Sequence, residues 1–383
     1  MSKEFILMKK TIAVVPGDGI GPEVMQEAVK VLDAVAEKFG HQFDLVYALA
    51  GGSAYDKYGS HLPDETLSIC EKCDAILFGS VGGPVSEMQL PKWKDCERNS
   101  ILTLRKHFSF AVNLRPSRVY PQLQSLSPLK PELVAKGIDL LIVRELVGDA
   151  YFGVHKKDVA DGERYATDEA KYTESQVKVA VHAAFECARK RRGKLTSVDK
   201  ANVLTTSKLW REVAEEVAAE FPDVEYENML VDNCAMQLIR DPSQFDVIVT
   251  SNMFGDILSD AAAVLPGSLG LAASASLNKD NFGLYEPPGG SAQDIAGQGV
   301  ANPIAQILSA AMLLKYSFGL EAESKAIEDA VEASLEEGYR TGEIYSGEAF
   351  EKRVNTKQMT EAILRNLEKA SVSVCNEKVS VPK

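Results

Sequence analysis

Short apolar runs alternate with helical patterns along most of the chain. Residues 11–15 predict a buried strand, and from Pro22 to about Phe39 apolar side chains recur at helical spacing. The alternation returns at residues 138–143 and 245–249, which predict further buried strands. Strands that alternate with helices indicate an α/β fold with a large, mostly parallel sheet and functional residues at the carboxyl ends of its strands.

The remaining elements follow from the same pattern. Further strands are predicted at residues 43–50, 74–78, 195–198 and 224–231, and helices at 63–73, 173–192, 207–220, 252–265, 303–316, 322–337 and 358–369. Residues 79–99 are rich in Gly and Pro and lack periodicity, which is typical of a long functional loop. The polar stretch beyond residue 370 is expected to be a loose tail.

Length and charge narrow the possible partners. A chain of 383 residues with 45% apolar side chains suggests two domains. Forty-two Lys and Arg against 55 Asp and Glu give a net charge of −13, which repels phosphate backbones and anionic lipids. We therefore expect no nucleic-acid partner and no membrane association. With no signal-peptide or transit-peptide pattern at the N-terminus, a cytoplasmic location is expected.

The six cysteines do not form a disulfide framework, because their spacing is irregular in a long chain. Cys70 and Cys73 make a C-x-x-C pair, but no second pair or nearby histidine completes a zinc site. Ordinary thiols one helical turn apart are favoured over a redox pair.

A glycine-rich turn spans Pro16 to Glu23, between the first strand and the first helix. Its spacing is G-x-G-x-G rather than the dinucleotide-binding pattern, and no acidic residue closes a second strand about 20 positions later. The turn therefore does not indicate a standard Rossmann fold. A tight turn with Pro22 at the first helical position explains it equally well.

Three aspartates are candidate metal ligands. Asp256 and Asp260 are four residues apart, so on a helix their carboxylates lie about 6 Å apart on one face. Such a pair suits Mg²⁺ or Mn²⁺, although aspartates near a helix N-terminus also favour the helix dipole. Asp232, at the end of the strand predicted at 224–231, is either a helix cap or a site residue.

Basic residues near strand ends are candidate anion ligands. Arg105 lies in a helical pattern, Arg115 follows an apolar strand, and Arg144 ends the strand that begins at residue 138. Three arginines could clamp a dicarboxylate, whereas any one of them alone is more often a surface ion-pair partner. Lys200 could serve as a base and Tyr151 as an acid, although each alone is more often structural.

Together these segments resemble the β-decarboxylating dehydrogenases, the family of isocitrate and isopropylmalate dehydrogenases. The resemblance covers about residues 10–368, with the motifs in the family's order. The motifs are Gly17–Glu23, Leu104–Lys106, Asn113–Pro116, Val143–Leu146, Tyr151–Gly153, Asp199–Val203, Ser251–Asp260 and Gly290–Gly297. It implies a two-domain fold, with residues 1–110 and 267–383 binding the cofactor and residues 111–266 inserted as a substrate, metal and dimerisation domain.

The isopropylmalate branch is the nearer one. Ile101 and Leu102 stand where isocitrate enzymes place polar residues, and an apolar pair there suits an isopropyl group. Tyr285–Ala292 also resembles that branch, and Asp294 matches the carboxylate that holds the adenosine ribose of NAD. Gln293 departs from the family pattern, where a proline is usual.

The resemblance implies a role for each matching residue. Arg105, Arg115 and Arg144 would hold the two carboxylates of 3-isopropylmalate. Mg²⁺ or Mn²⁺ would be bound by Asp232, Asp256 and Asp260, and NAD by Gly290, Ser291, Ala292, Asp294, Ile295, Asn302 and Glu97. Lys200 would accept the hydroxyl proton and Tyr151 would protonate the product, 2-oxoisocaproate, a leucine precursor. A homodimer is implied, in which the partner subunit supplies Lys200, Asp232 and Val203, the last against the isopropyl group.

Three other functions remain open on the sequence. A sister dehydrogenase could act on homoisocitrate, tartrate or malate. A regulatory homologue could lack catalysis, although Tyr151, Lys200 and the three aspartates are all present. A metal-dependent hydrolase could be built on the Asp256 and Asp260 pair.

Overall fold

A computed structural model describes residues 7–369 of the chain. Its strands are β1 (Lys9–Gly17), β2 (Gln42–Tyr47), β3 (Ala75–Ser80), β4 (Val112–Arg118), β5 (Asp139–Glu145), β6 (His155–Ala160), β7 (Glu163–Asp168), β8 (Lys194–Asp199), β9 (Glu225–Leu230), β10 (Val247–Thr250), β11 (Ser274–Leu277), β12 (Gly283–Glu286), β13 (Tyr339–Arg340) and β14 (Lys352–Arg353).

The helices alternate with these strands. They are α1 (Gly21–Phe39), α2 (Gly52–Tyr58), α3 (Asp64–Lys72), α4 (Cys96–Asn99), α5 (Ile101–His107), α6 (Pro131–Val134), α7 (Glu174–Arg189), α8 (Thr205–Ala218), α9 (Val231–Arg240), α10 (Asn252–Ala263), α11 (Ile304–Tyr316), α12 (Glu321–Glu336) and α13 (Thr356–Lys369). Short 3₁₀ turns occupy Val85–Glu87, Pro121–Leu126, Pro242–Gln244, Leu269–Leu271 and Gly342–Ile344.

Ten strands form one sheet in the order β2-β1-β3-β12-β11-β4-β5-β10-β8-β9. The strands β2, β1, β3 and β12 run parallel to one another, as do β5, β10, β8 and β9 at the other side. Between the two groups, β11 and β4 pair antiparallel with each other and with their outer neighbours. The expectation of an α/β fold with a large, mostly parallel sheet is confirmed.

The sheet is buried on both faces, which explains the continuous apolar runs in its central strands. In β1, Ile12 and Val14 belong to one core, whereas Ala13 and Val15 belong to a second core on the opposite face. Helix α11 packs against the first face and is buried along residues 304–314, so its sequence is apolar all round.

Several details differ from the sequence-based expectations. Arg115 lies in the middle of β4 instead of following a strand, because the polar segment Arg115–Arg118 continues the pairing with β5. Asp232 lies in the first turn of α9, since β9 ends at Leu230. The hairpin β6–β7 was not predicted, because its strands pair only with each other and every residue in them is exposed.

The C-x-x-C cysteines are free thiols near the end of α3. Burial raises the pKa of Cys70 to about 12, which suits an unreactive thiol. Within residues 7–369, no helix is both long enough and apolar enough to cross a bilayer. The tail expected beyond residue 370 lies outside the described residues.

Candidate active site

Strand register gathers polar side chains on one face of the central sheet. Asn113 of β4 is paired with Arg144 of β5 on one side and with Ser276 of β11 on the other. Ser274 of β11 is paired in turn with Glu286 of β12. Because alternate residues of a strand share a face, Arg115 projects from the same side as Asn113. Residues from four strands therefore face one surface.

Helix α10 lies against this face and carries both aspartates of the predicted metal pair. It begins after Ser251 and contacts β4 and β5. Gly255 permits the close approach: a Cβ atom at this position would lie 2.6 Å from the Cγ atom of Arg144. Asp256 is the next residue and Asp260 lies one turn later, as the i,i+4 spacing predicted.

Arg144 is a buried cation held by α10. Its Nε donates to Asn252 Oδ1 at 2.9 Å, and its Nη1 donates to Asp256 Oδ1. Burial lowers the pKa of Arg144 to about 10, with neighbouring Arg115 and Arg105 acting in the same direction against the opposing charge of Asp256. Arg115 Nη2 lies 3.8 Å from the same oxygen, Asp256 Oδ1, so the two guanidinium groups share one carboxylate.

Arg115 connects β4 to the second aspartate. Its Nη1 donates to Asp260 Oδ1 at 2.6 Å and to Ser259 Oγ at 2.9 Å, while its Nε donates to Asn113 Oδ1 at 2.7 Å. Burial lowers the pKa of Arg115, and the charge of Arg105 lowers it further. Most of its donors are already engaged by the protein.

Arg105 keeps a donor free for another group. Its Nη2 donates to Glu286 Oε1 at 3.0 Å, across from α5 to the end of β12. Its Nε is buried and has no hydrogen-bond acceptor anywhere in residues 7–369. An unpaired buried donor on a cation is costly, so this atom is suited to receive a carboxylate oxygen from a ligand.

Tyr151 lies in the loop after β5 and points at the same aspartate as Arg144. Its hydroxyl donates to Asp256 Oδ2 at 2.6 Å, and the guanidinium of Arg144 lies 5.4 Å from its ring centroid. Burial and the hydrogen bond to Asp256 raise the pKa of Tyr151. The pKa of Asp256 is lowered, because the charge of Arg144 and the bond from Tyr151 outweigh burial. At neutral pH the tyrosine is therefore protonated and the carboxylate is charged.

Lys200 and Asp232 form a second cluster, between the end of β8 and the start of α9. Lys200, directly after β8, donates from Nζ to Asp232 Oδ1 at 2.6 Å. This bond lowers the pKa of Asp232, and Val203 nearby in the same turn is exposed. In the part of the chain that the structure describes, no hydrogen bond or ion pair connects this cluster with Tyr151, Asp256 or Asp260.

The residues fit a divalent cation only in part within one chain. Asp256 and Asp260 offer hard carboxylate oxygens on one helix face, and the side chain of Asp260 is 70% exposed. No group of three His, Cys, Asp or Glu side chains within residues 7–369 could hold a metal ion. Asp232, the third predicted ligand, is exposed in a separate cluster with Lys200.

A cavity of about 500 Å³ lies between the glycine-rich turn, β3 and the segment after β12. Of the predicted cofactor ligands, Gly290, Ala292, Ile295 and Asn302 line it. Ser291 is buried beside it, and its carbonyl oxygen accepts a hydrogen bond from the Ile20 backbone at 2.8 Å. Residues 287–302, which we call the 290-loop, therefore form one wall of the cavity together with the glycine-rich turn.

The remaining predicted residues lie around these clusters. Asp294 is exposed on the 290-loop and does not line the cavity. Glu97 in α4 is near the 290-loop, since a Cβ atom on Gly82 would lie 3.7 Å from its Oε1 and 3.9 Å from Ser291 Oγ. Ile101 is buried in the second core and Leu102 packs against that core, one turn before Arg105.

Three residues that hydrogen-bond to the arginines of the site were missed by sequence reasoning. Glu286 pairs with Arg105, Asn113 orients Arg115, and Asn252 orients Arg144. All three stand inside motifs that carried the family resemblance. Asn113, two positions before Arg115, is the only one of the three that stands near an arginine in the sequence. Strand register and the packing of α10 are needed to reveal all three pairs.

Known proteins match this chain over most of its length. The model of the isocitrate/isopropylmalate dehydrogenase family matches residues 11–363. A 3-isopropylmalate dehydrogenase of Desulfotalea psychrophila is 54% identical, over 94% of this chain and all of its own length. That of Syntrophotalea carbinolica is 54% identical, over 97% of this chain and all of its own length.

Solved structures agree with the sequence relatives. An isocitrate dehydrogenase from Methylococcus capsulatus superimposes with a TM-score of 0.81 and 35% identity, covering 94% of this chain and 100% of its own. With the fold, the polar face of the sheet and the sequence match all in agreement, the chain belongs to the isocitrate/isopropylmalate dehydrogenase family.

Proposed function

We propose that the protein catalyses the NAD-dependent oxidative decarboxylation of 3-isopropylmalate to 2-oxoisocaproate and CO₂, a step of leucine biosynthesis. One observation carries the proposal from the structure. Arg115 and Arg144 meet at Asp256, Arg105 lies within range of their charge, and the buried Nε of Arg105 has no acceptor in the described residues. Both relatives compared above are named 3-isopropylmalate dehydrogenase, which supports the proposal.

The arginines explain recognition of a dianion. A substituted malate has two carboxylates on adjacent carbons, and guanidinium groups bind carboxylates through charge-assisted hydrogen bonds. Arg105 offers an open donor, whereas Arg115 and Arg144 now donate to Asp260 and Asp256. A dicarboxylate would replace the protein carboxylates of Asp256, Asp260 and Glu286 at these guanidinium groups, which favours it over a neutral substrate.

Two residues of the chain would handle the protons. Lys200 would accept the proton of the C2 hydroxyl while the hydrogen on C2 leaves as hydride, and NAD⁺, when bound, supplies the hydride acceptor. The ketone formed at C2 is β to the carboxylate on C3, so the bond to that carboxylate breaks and CO₂ leaves. Tyr151, protonated at neutral pH, would then donate its proton to C3.

Asp256, Asp260 and the partner's Asp232 would hold Mg²⁺ or Mn²⁺. Such an ion, when bound, supplies Lewis-acid polarisation of the C2 oxygen. The chain contributes the geometry: α10 fixes two carboxylates one turn apart, and Arg115 and Arg144 orient them. Release of these carboxylates from the arginines would free guanidinium donors for the substrate.

A homodimer would complete the site. Lys200 and Asp232 form a cluster of their own in one chain, so a second subunit is needed to bring them to Tyr151 and Asp256. Helices α9 and α10, which contact each other, also expose large apolar side chains that suit a subunit interface. These side chains are Met236, Ile239, Met253 and Ile257.

We also propose that the sheet spans two domains, residues 1–110 with 267–383 and residues 111–266. In support, the strands of the first set lie together from β2 to β11 and those of the second from β4 to β9. The boundary would then fall between β11 and β4, next to the arginine cluster.

The decisive experiment is a panel of malate analogues. Reduction of NAD⁺ would be followed at 340 nm with 3-isopropylmalate, isocitrate, homoisocitrate, tartrate and malate, each with and without EDTA. The proposal expects the highest kcat/KM with 3-isopropylmalate and loss of turnover in EDTA that Mg²⁺ or Mn²⁺ restores. Faster turnover of another malate would assign the protein to a sister activity, and no turnover of any would contradict the proposal.

A further inference from the structure

Behind the loop that carries Tyr151 lies a buried polar cluster, formed by Glu145, Asp149 and Tyr172. Glu145 ends β5 and is fully buried, and Asp149 is also buried. Tyr172 lies just before α7, with its ring packed edge-on against Trp210. No ion pair within residues 7–369 involves Glu145 or Asp149, so the cluster holds two carboxyl groups without a cation.

The two carboxyl groups fix the backbone of the loop. Glu145 accepts hydrogen bonds from the Val147 and Gly148 backbones at 2.6 and 3.0 Å. Asp149 accepts one from the Ala150 backbone at 2.8 Å and has a φ of +71°, a conformation that is strained for a residue with a side chain. Tyr151 follows two residues later, so the carboxylates set the start of its segment.

The hydroxyl of Tyr172 joins this loop to α10. It lies 3.0 Å from Glu145 Oε2 and 3.3 Å from Asp149 Oδ2, and it has one proton to donate to the two. It accepts from the Asn252 backbone at 2.8 Å, at the first residue of α10. A second connection runs beside it, from the Met253 backbone to Asp149 Oδ2 at 3.1 Å.

The ring of Tyr172 also packs directly on the loop. A Cβ atom added to Gly148 would lie 2.4 Å from the ring, so the backbone is in close contact with the aromatic face. The side chain of Asn252, which orients Arg144, donates to the Gly148 carbonyl at 3.1 Å. The side chain of Tyr172 therefore contacts both the segment that carries Tyr151 and the helix that carries Asp256.

We infer that Tyr172 is a positioning residue for the proposed reaction: its hydroxyl bridges Glu145, Asp149 and α10 and thereby holds Tyr151 at Asp256. The inference rests on the proposed role of Tyr151 as proton donor. In residues 7–369, no hydrogen bond or ring contact joins Tyr172 to the arginines or to Asp256, so it acts through the loop and the helix. Reactions that depend on positioning lose rate steeply when a group is displaced by about 1 Å.

The test is a double-mutant cycle. Tyr172→Phe removes the hydroxyl and keeps the ring on Gly148 and Trp210. We expect kcat to fall roughly tenfold while KM for NAD⁺ changes less than about twofold, since the cofactor cavity lies elsewhere. In a Tyr151→Phe background the same substitution should lower kcat by less than about twofold, because a positioning role needs the group that it positions. Equal losses in both backgrounds, or no loss in either, would overturn the inference.

Tyr226→Phe is the matched control. That hydroxyl donates to Asn228 Oδ1 at 2.7 Å on β9, outside the clusters described above, so kcat should stay at the wild-type value. If Tyr172→Phe does not fold, Glu145→Gln, which keeps the shape of the side chain, enters the same cycle. The same non-additivity with Tyr151→Phe is expected, and additive losses would again contradict the inference.

Hydrogen–deuterium exchange separates this inference from the proposed function. Tyr172→Phe should speed exchange of the peptides covering residues 146–153 and 252–258 together, whereas Tyr226→Phe should change neither. Wild-type protein without turnover of 3-isopropylmalate would contradict the proposed function but leave this comparison intact. Unchanged exchange in both peptides would overturn the positioning role.

Discussion

At the residue scale, Gly255 determines how closely α10 approaches the sheet. A Cβ atom there would meet the Cγ and Cβ atoms of Arg144 at 2.6 and 2.8 Å, too near the backbone for rotation alone to relieve the overlap. Alanine would favour the helix by about 1 kcal/mol on propensity, yet it must displace Arg144 or the helix. Packing therefore opposes propensity at this position.

Gly255→Ala is expected to raise KM for the malate substrate by roughly tenfold, because the Arg144 guanidinium would be displaced from its place beside Asp256. Steady-state kinetics over a range of substrate concentrations would measure the change. A variant with wild-type KM and higher thermal stability would mean that helix propensity outweighs the overlap.

Lys200 has one specific role in the proposed chemistry. Lys200→Met removes the proton acceptor and should lower kcat by about 10²–10⁴-fold, the usual contribution of a general base. Lys208→Met, at an exposed lysine on α8, serves as the control and should turn over at the wild-type rate. Turnover of Lys200→Met near the wild-type rate would rule out the assigned role.

Asp294 is exposed on the loop beside the cavity lined by four of the proposed NAD ligands, and its proposed role is to repel the 2′-phosphate of NADP⁺. Asp294→Ala should raise KM for NAD⁺ about tenfold and leave or lower KM for NADP⁺, because the carboxylate acts in opposite directions on the two cofactors. Kinetics with both cofactors would measure the ratio. Equal increases in both KM values would count against this role.

At the element scale, β5 ends at Glu145, a carboxyl group whose protonation is linked to the stability of the fold. Burial raises the pKa of Glu145 to about 7, against backbone hydrogen bonds that lower it, and nearby Asp149 adds to the increase. The usual pKa of a glutamate is near 4.3 in the unfolded chain. Between these values the folded state binds more protons than the unfolded state.

The free energy of unfolding should therefore fall as pH rises from about 4.5 to 7, as far as Glu145 contributes to it. Glu145→Gln removes this part of the pH dependence. Urea denaturation of both proteins at intervals across that window should give a difference that changes with pH and levels off above it. Parallel stability curves would show that Glu145 does not titrate there.

Local elements with their own periodicity could be predicted from the sequence. The helix predicted from Pro22 to Phe39 and the strand predicted to end at Arg144 both depend on neighbours in the chain, and the structure contains both as α1 and β5. The hairpin β6–β7 was missed because exposed strands need no apolar alternation. Apolar periodicity arises where one face of a strand is buried, and neither face of these two strands is buried.

Part of the candidate site could be proposed from the sequence, whereas the contacts of its residues could not. The resemblance identified Arg105 and Asp256, yet it could not reveal the pairs that these residues make. Glu286 meets Arg105 across 181 positions of the chain, and Tyr172 lies in no motif that suggested chemistry. Such contacts depend on strand order and helix packing, which no local pattern encodes.

At the scale of the whole molecule, the net charge of −13 is unevenly distributed. Arg105, Arg115 and Arg144 lie within range of each other's charge, together with Asp256, Asp260 and Glu286. Burying like charges together is costly unless opposite charges accompany them. In the chain without a ligand, the three carboxylates balance the charges of the three arginines.

Shared active sites lead to a prediction about mixed dimers. If each site takes Tyr151 from one subunit and Lys200 from the other, a dimer of one Tyr151→Phe chain and one Lys200→Met chain has one intact site and one with both changes. Random co-assembly of the two impaired proteins should restore about a quarter of the wild-type activity, since half of the dimers are mixed. Denaturing and refolding the variants together, then assaying, would measure it. No recovery in dimers shown to be mixed would mean that each chain builds its own site.

The place of β12 beside β3 has a consequence for synthesis. Leu284 pairs with Ile76, so the edge of β3 stays open until 208 further residues have been made. At translation rates of about 5–20 residues per second, this exposure lasts roughly 10–40 s. During that time an apolar strand has unpaired backbone groups, a template for association with other chains. Expression yield should therefore be more sensitive to chaperones than the stability of the finished protein would suggest.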